Sequence, residues 1–322
     1  MKLIFAIMGP TIFISIASYL DPLLMFTLQQ AFDKAKYPGC IYAGIVDQHV
    51  DSHRQAISEL PYAARIRYIH LTPHETHGVS WARSLAFSLY DNESFLLQID
   101  AHTLFEQDWD EILLKQYWEM LGRSPKPILT TYPFPFTWND GNPQYTTNPE
   151  TVLVLRPIPE AVLTHDNLVI GFHGKHMYVK EPVLGCHIAA GFIFTSGSFI
   201  NEVPYDPLIY FLGEEQNLAI RAYTRGWDIY HPVNVPLRHY YKETGVSYDT
   251  HHWHGEVVKQ RDYSFEHLQD RSLRRMNLLL SGEGGLGAYD LGKVRSLKDF
   301  AELSGVDYKR FTITDPFNGQ LV

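Results

Sequence analysis

The sequence predicts an α/β fold, a mostly parallel sheet with helices on both faces. Three observations predict it. Between Thr11 and Tyr132, short apolar runs alternate with segments whose apolar residues recur at helical spacing. The first run leads through a short loop to a helix start at Asp21-Pro22. The run from Ser94 to Ile99 is mostly apolar, reads as a buried strand and ends in an acid, Asp100. Parallel strands covered on both faces read this way, and ligands bind at their carboxyl ends.

The elements follow in order. Residues 3–20 carry no charge and follow Lys2, as in a signal peptide with Ser15-Ile16-Ala17 as a passable cleavage site. Gly9, Pro10, Ser15 and Ser18 interrupt the run too often for a membrane span. The chain beyond it favours a buried strand over Thr11 to Ala17. Asp21 is a good N-cap, Pro22 suits the first helical position, and Leu24, Leu28, Ala31 and Ala35 recur at helical spacing. Ile41 to Val46 and Arg65 to Leu71 are the next strands. A helix then carries Val79, Ala82, Leu85, Ala86 and Leu89. After the strand ending at Ile99, a helix carries Trp109, Leu113 and Met120, and Ile128 to Tyr132 is a further strand. Pro133 to Pro159, rich in Pro, Asn, Thr and aromatics, predicts a long binding loop. Ile188 to Thr195 predicts a small-residue strand in which Gly191 marks close approach of a ligand or a backbone. Glu214 to Arg225 predicts a helix closed by Gly226. Strands over Trp227 to His231 and Val235 to Tyr240 complete one α/β domain with a C-terminal extension.

Composition narrows the function. Hydrophobic residues make up 45% of the 322-residue chain and charged residues 20%, which excludes a disordered or collagenous protein. Asp plus Glu number 36 against 27 Lys plus Arg, a net charge of -9. A general nucleic-acid or anionic-membrane binder needs the opposite balance, so no nucleic-acid partner is expected. Cys40 and Cys186 are too few for a disulfide framework or a thiolate zinc cage. Buried thiols in a reducing compartment are the simpler reading, and the expected location is cytoplasmic. The 16 histidines raise metal binding among the functions to weigh.

Asp100 and His102 stand one residue apart, directly after a buried strand. A carboxylate and an imidazole so placed can share a divalent cation, which can bind a diphosphate and stabilise a leaving group's charge. Alone, an Asp-x-His triplet is usually incidental; its place after the strand gives it weight. Glu214 and Glu215 open a helix, where acids serve the helix dipole as readily as chemistry. Both readings stay open. His239, His251, His252, His254 and His267 cluster late in the chain without zinc-motif spacing, and one of them closing the Asp100–His102 site is the sharper reading. His74-Glu75-Thr76-His77 brings its second histidine one residue too early for His-Glu-x-x-His.

The residues together resemble the polypeptide hydroxyproline α-N-acetylglucosaminyltransferase family. The resemblance rests on the opening Thr11 to Tyr19 with Asp21-Pro22, on Gly78-Val79-Ser80-Trp81-Ala82-Arg83, and on Leu97-Gln98-Ile99-Asp100-Ala101-His102. It continues through Leu129 to Pro133, Ala190-Gly191-Phe192, Val203 to Pro207, and Gly213-Glu214-Glu215 with Arg221 and Gly226-Trp227. Arg295-Ser296-Leu297 and Ser304 to Asp307 close it, so the match spans nearly the whole chain in order. Mucin-type polypeptide N-acetylgalactosaminyltransferases, which also use Asp-x-His, are similar at greater distance.

The resemblance implies a GT-A fold over 1–255, with 256–322 a helical or irregular extension packed on it. It implies transfer of GlcNAc from UDP-GlcNAc to a protein or glycan hydroxyl with retention, and manganese or magnesium as cofactor. Carried over, Asp100, His102 and His239 are metal ligands. Ser15, Ala17 and Tyr19 line the uridine site, Arg83 and Gly191 approach the donor, and Glu214 or Glu215 faces sugar and acceptor. Leu20 departs from the arginine that members often carry, and Ala101 replaces a common serine. The segment from Tyr241 to Gly255, with His252 and Trp253, reads as a lid over the diphosphate. Other UDP-sugars, a non-catalytic nucleotide-sugar binder and a histidine-rich metallohydrolase are the alternatives. The last would work without UDP.

Overall fold

The computed structural model describes residues 9–146, 151–241 and 264–314. Strands β1 (Ile12–Tyr19), β2 (Ile41–Gln48), β3 (Ile66–Leu71) and β4 (Phe95–Asp100) run parallel. A short strand, β5 (Thr103–Phe105), turns away from the sheet after β4. Next come β6 (Pro127–Thr130), β7 (Phe134–Pro135), β8 (Thr137–Asn139), β9 (Asn142–Gln144), β10 (Val152–Pro157) and β11 (Phe172–Met177). The last are β12 (Val183–Gly185), β13 (Phe192–Ser196), β14 (Asp228–His231) and β15 (Leu237–His239). Among the described residues the main sheet has eight strands, in the order β12-β14-β6-β13-β4-β1-β2-β3. Only β12 and β13 run against the others.

The helices are α1 (Leu24–Asp33), α2 (Arg54–Ser58), α3 (Val79–Phe87), α4 (Trp109–Met120), α5 (Phe199–Glu202), α6 (Glu214–Thr224), α7 (Phe265–Ser281) and α8 (Leu297–Ser304). Strand alternation sorts the core into two layers. Ile12, Ile14 and Ile16 of β1 pack with Leu28 and Phe32 of α1 and Trp109 and Leu113 of α4. Phe13, on the other face, joins Phe87 of α3, Phe199 of α5 and Leu218 and Ala222 of α6. Each such side chain, fully buried, contributes about 1.5–3 kcal/mol. A third cluster joins Ile220 and Tyr223 of α6 to Met276 and Leu280 of α7 and Phe300 of α8. No helix among the described residues is long and apolar enough to cross a membrane.

Three expectations change. Asp21 does not cap the first helix, which begins at Leu24 without a side-chain cap. One Asp21 oxygen accepts the Leu23 N–H at 3.0 Å and the other goes elsewhere, to His102. Pro133 to Pro159 is not one long loop: β8 and β9 form a hairpin, and β10 pairs antiparallel with β11. The run Val152-Leu153-Val154-Leu155 supplied a β-branched, apolar strand signal that the surrounding prolines and polar residues masked. The strand expected from Ile188 starts only at Phe192, because a turn at Ala190-Gly191 precedes it.

Candidate active site

The carboxyl ends of β1, β2 and β4 open into one cavity of about 800 Å³. Sheet register sets its centre. Phe192 pairs with Ile99 across the antiparallel β13–β4 ladder, which brings Gly191 beside Asp100. A Cβ on Gly191 would lie 2.8 Å from Asp100 Oδ2, so any side chain there displaces that carboxylate. Antiparallel pairing of β15 with β5 sets His239 opposite Thr103 and so next to His102. The turn between β4 and β5 is clamped by Thr27 of α1. Its hydroxyl donates to the carbonyls of Ala101 at 2.8 Å and Thr103 at 3.0 Å, and accepts the Thr103 N–H at 2.9 Å.

Asp100, His102 and His239 form the one such group among the described residues with ligand atoms all within 4.8 Å of one another. His239 Nε2 lies 3.1 Å from Asp100 Oδ2 and 3.0 Å from His102 Nε2. One carboxylate and two imidazoles converging on a point, with Gly191 leaving room beside them, fit a hard-to-borderline divalent cation. The other nitrogen of His102, Nδ1, donates to the Asp21 carboxylate at 2.7 Å. Burial pulls the His239 pKa down, against the hydrogen bond to Asp100, which supports the neutral, ligating form.

Arg83, on α3, ties this group to the acids of α6. One guanidinium nitrogen donates to Asp100 Oδ1 at 2.6 Å and the other pairs with Glu214 Oε1. Burial alone would raise the Asp100 pKa, but the His239 hydrogen bond and the Arg83 charge together hold it well below the usual carboxylate range. Gly213, at φ +91°, turns the chain into α6 and places Glu214 at its first position. Glu214 is 5% exposed and also hydrogen-bonds Tyr205, whose hydroxyl accepts from Gln98 Nε2 at 2.7 Å. Burial raises its pKa against the opposing Arg83 charge.

Glu215 differs. It opens onto the cavity, accepts the Ala190 N–H at 2.8 Å and the Tyr132 hydroxyl at 3.3 Å, and feels the Arg83 charge without an ion pair among the described residues. Burial, countered in part by the Ala190 N–H and reinforced by the Glu214 charge, pushes its carboxyl up to about 7. A folded pKa above the unfolded value of about 4.3 gives stability that is complete below that value and is lost as pH rises through about 7. Glu215→Gln should therefore remove a fall of about 1–3 kcal/mol between pH 4.5 and 7.5, discounted for the carboxyl's opening to the cavity. Urea midpoints of both proteins across that range check it; parallel curves would refute it.

The cavity gathers Ala17, Tyr19, Arg83, Asp100, His102, Gly191, Glu214, Glu215 and His239 at its lining, all residues that the sequence singled out. Ser15 is not among them: it lies fully buried inside β1, short of the strand's end. His252 and Trp253, the boundary at 255 and most of the proposed lid lie outside the described residues. His267 is on exposed helical surface. Glu75 closes a capping box with Thr72 and is not part of a histidine metal motif. Sequence reasoning missed Asp21 as a partner of His102, Tyr132 and Tyr205 as partners of the glutamates, and the wall formed by Asn167 to Phe172. Asp21 carried a signal that capping explained equally well, and Tyr132 and Tyr205 lay in stretches of the family resemblance that assigned them no role.

A family model described as Glycosyltransferase (GlcNAc) matches residues 11–64 and 51–310. No curated protein matches the sequence. Among solved structures, that of GalNAc-T7 with UDP, GalNAc and Mn2+ is similar at a TM-score of 0.56 and 14% identity, over 91% of this chain and 54% of that one. The chain thus spans about half the length of GalNAc-T7. The structure of S. aureus TarS 1-349 in complex with UDP-GlcNAc gives a TM-score of 0.44 at 13% identity, over 94% of this chain and 84% of that one. The architecture is that of the GT-A fold.

Proposed function

The chain belongs to the Glycosyltransferase (GlcNAc) family, and from that premise we propose a retaining, metal-dependent enzyme. It transfers GlcNAc from UDP-GlcNAc to an acceptor hydroxyl, on a protein in the first instance, through an α-linkage. The observation that carries this reading is the convergence of Asp100, His102 and His239 in the cavity, beside Arg83 and Glu214. The sequence motifs shared with the polypeptide hydroxyproline α-GlcNAc-transferases support the acceptor class and the retention. The shared fold of GalNAc-T7, which holds UDP and Mn2+, is consistent with the donor and the cation.

Asp100, His102 and His239 would hold manganese or magnesium, which offsets the charge of a departing diphosphate. The protein's own groups do the positioning. Tyr19 and Ala17 line the cavity where β1 ends and take the uridine. Arg83 fixes Asp100 and Glu214 relative to each other, so the cation site and the sugar site keep one geometry. Glu214, held by Arg83 and Tyr205, presents a fixed carboxyl group to a sugar or acceptor hydroxyl. Glu215, with its raised pKa, holds a proton near neutrality and hydrogen-bonds across the cavity. Retention fits front-face transfer, in which the leaving phosphate takes the acceptor's proton.

UDP with manganese should raise the melting temperature, because a ligand of the folded state alone stabilises it. Calorimetry with UDP present should show His239→Ala and His102→Ala each weakening manganese binding by more than the roughly 10–100-fold that loss of an outer-shell partner costs. Wild-type affinity in His239→Ala would remove it from the site. Product NMR decides the linkage: a β-anomer would overturn retention. A mass-spectrometric screen of UDP-sugars against host lysate identifies sugar and acceptor. Slow UDP-GlcNAc hydrolysis in manganese separates an enzyme from a binder that has lost catalysis.

A further inference from the structure

We propose that Asp21 is a positioning residue of the cation site, acting through His102; the inference rests on the metal-dependent reading above. Asp21 is 3% exposed, and its carboxylate lies 2.7 Å from His102 Nδ1. An ionised carboxylate only accepts hydrogen bonds, so His102 must carry its hydrogen on Nδ1. Nε2 then keeps its lone pair, and that is the atom facing His239 and Asp100. Asp21 thereby holds His102 in the one neutral tautomer that can ligate at Nε2, and holds the ring's orientation with it.

The same tautomer explains the hydrogen bonds around His239. With His102 Nε2 an acceptor and Asp100 Oδ2 an acceptor, the hydrogen between them sits on His239 Nε2, and ligation through that atom requires it to pass to Nδ1. Among the described residues, the buried His239 Nδ1 has no hydrogen-bond partner. The two imidazoles are therefore unequal. His102 is pre-set by a carboxylate behind it, whereas no described residue behind His239 fixes its tautomer. Asp21 belongs to the loop between β1 and α1, far in sequence from His102, so α1's entry loop is coupled to the cation site.

Asp21→Asn is the test. Its remaining carbonyl oxygen can still accept the Leu23 N–H, so the loop's own bond is preserved while the contact with His102 changes. The first measurement needs no metal: 15N shifts of the His102 ring should report nearly pure Nδ1–H in the wild type and a shift toward Nε2–H in Asp21→Asn, whose amide NH2 would donate to Nδ1. The second is manganese affinity by calorimetry in the presence of UDP, expected to fall about 10–100-fold in Asp21→Asn. An unchanged tautomer ratio in Asp21→Asn would overturn the proposal, as would unchanged manganese affinity alongside a changed ratio. If the wild type binds no manganese at all, the donor reading fails, while the metal-free tautomer comparison still decides whether Asp21 sets His102.

Discussion

Arg83→Leu should cost about 3–5 kcal/mol of stability at pH 7.5, the range for stranding buried charges. Arg83 is 4% exposed and is the cation between Asp100 and Glu214, and each of these carboxylates leans on it. Without it Glu214 keeps its burial and the repulsion of Asp100 and loses the charge that opposed both. Its folded pKa then climbs further above the unfolded value. The sign follows: such a group's stability is retained below about pH 4.3 and lost as pH rises through the folded pKa. The defect of Arg83→Leu should therefore shrink toward pH 5, as Glu214 takes up a proton. Urea unfolding at pH 5 and 7.5 measures it, and an equal loss at both would contradict the pairing. Arg83→Lys should rescue only part, since one ammonium cannot reproduce the fork that reaches two carboxylates.

Glu214→Gln and Glu215→Gln should each lower turnover by about 100-fold or more, the scale of misplacing or discharging a group beside the reacting atoms. UDP affinity in manganese should stay within about threefold, because neither glutamate is a proposed cation ligand. The two variants should differ in stability. Glu214→Gln leaves Arg83 short of an anion in a buried site, so it should lose stability at pH 7.5. Glu215→Gln removes a carboxyl whose burial outweighs the Arg83 charge and the Ala190 N–H, so at the same pH it should gain. Initial rates, calorimetry and denaturation on the same preparations separate the effects. A loss of UDP binding as large as the loss of turnover would assign these residues to donor binding.

Local chemistry was legible wherever a signal and its cause lie within a few residues. Strands β1, β2 and β4 announce themselves as apolar runs because both sheet faces are covered, whereas β3, at the sheet edge, is half-buried and mixed with polar residues. Helix α6 reads from its spacing and from Gly226, which takes φ +87° after its last turn. Asp100 and His102 are visible because they follow a buried strand, where this architecture places ligands. The segment after Tyr132 was misread because turn-forming residues surround β8, β9 and β10 and hide their pairing.

The sequence by itself determined the layered α/β architecture, the chemical types at the site and the family to which they belong. These follow from periodicity and from residues adjacent in the chain. The tertiary structure decided which of those residues meet. Pairing of β5 with β15 across more than a hundred residues delivers His239 to His102. The Asp21 carboxylate, an N-cap by local rules, goes instead to an imidazole that β4 and its turn bring within 2.7 Å. Glu214 and Glu215 are indistinguishable as neighbours in sequence, yet one lies against Arg83 and the other against a backbone N–H and a tyrosine. Long-range contacts of this kind have no periodic trace, because each depends on where the folded sheet and its flanking helices set two distant backbones.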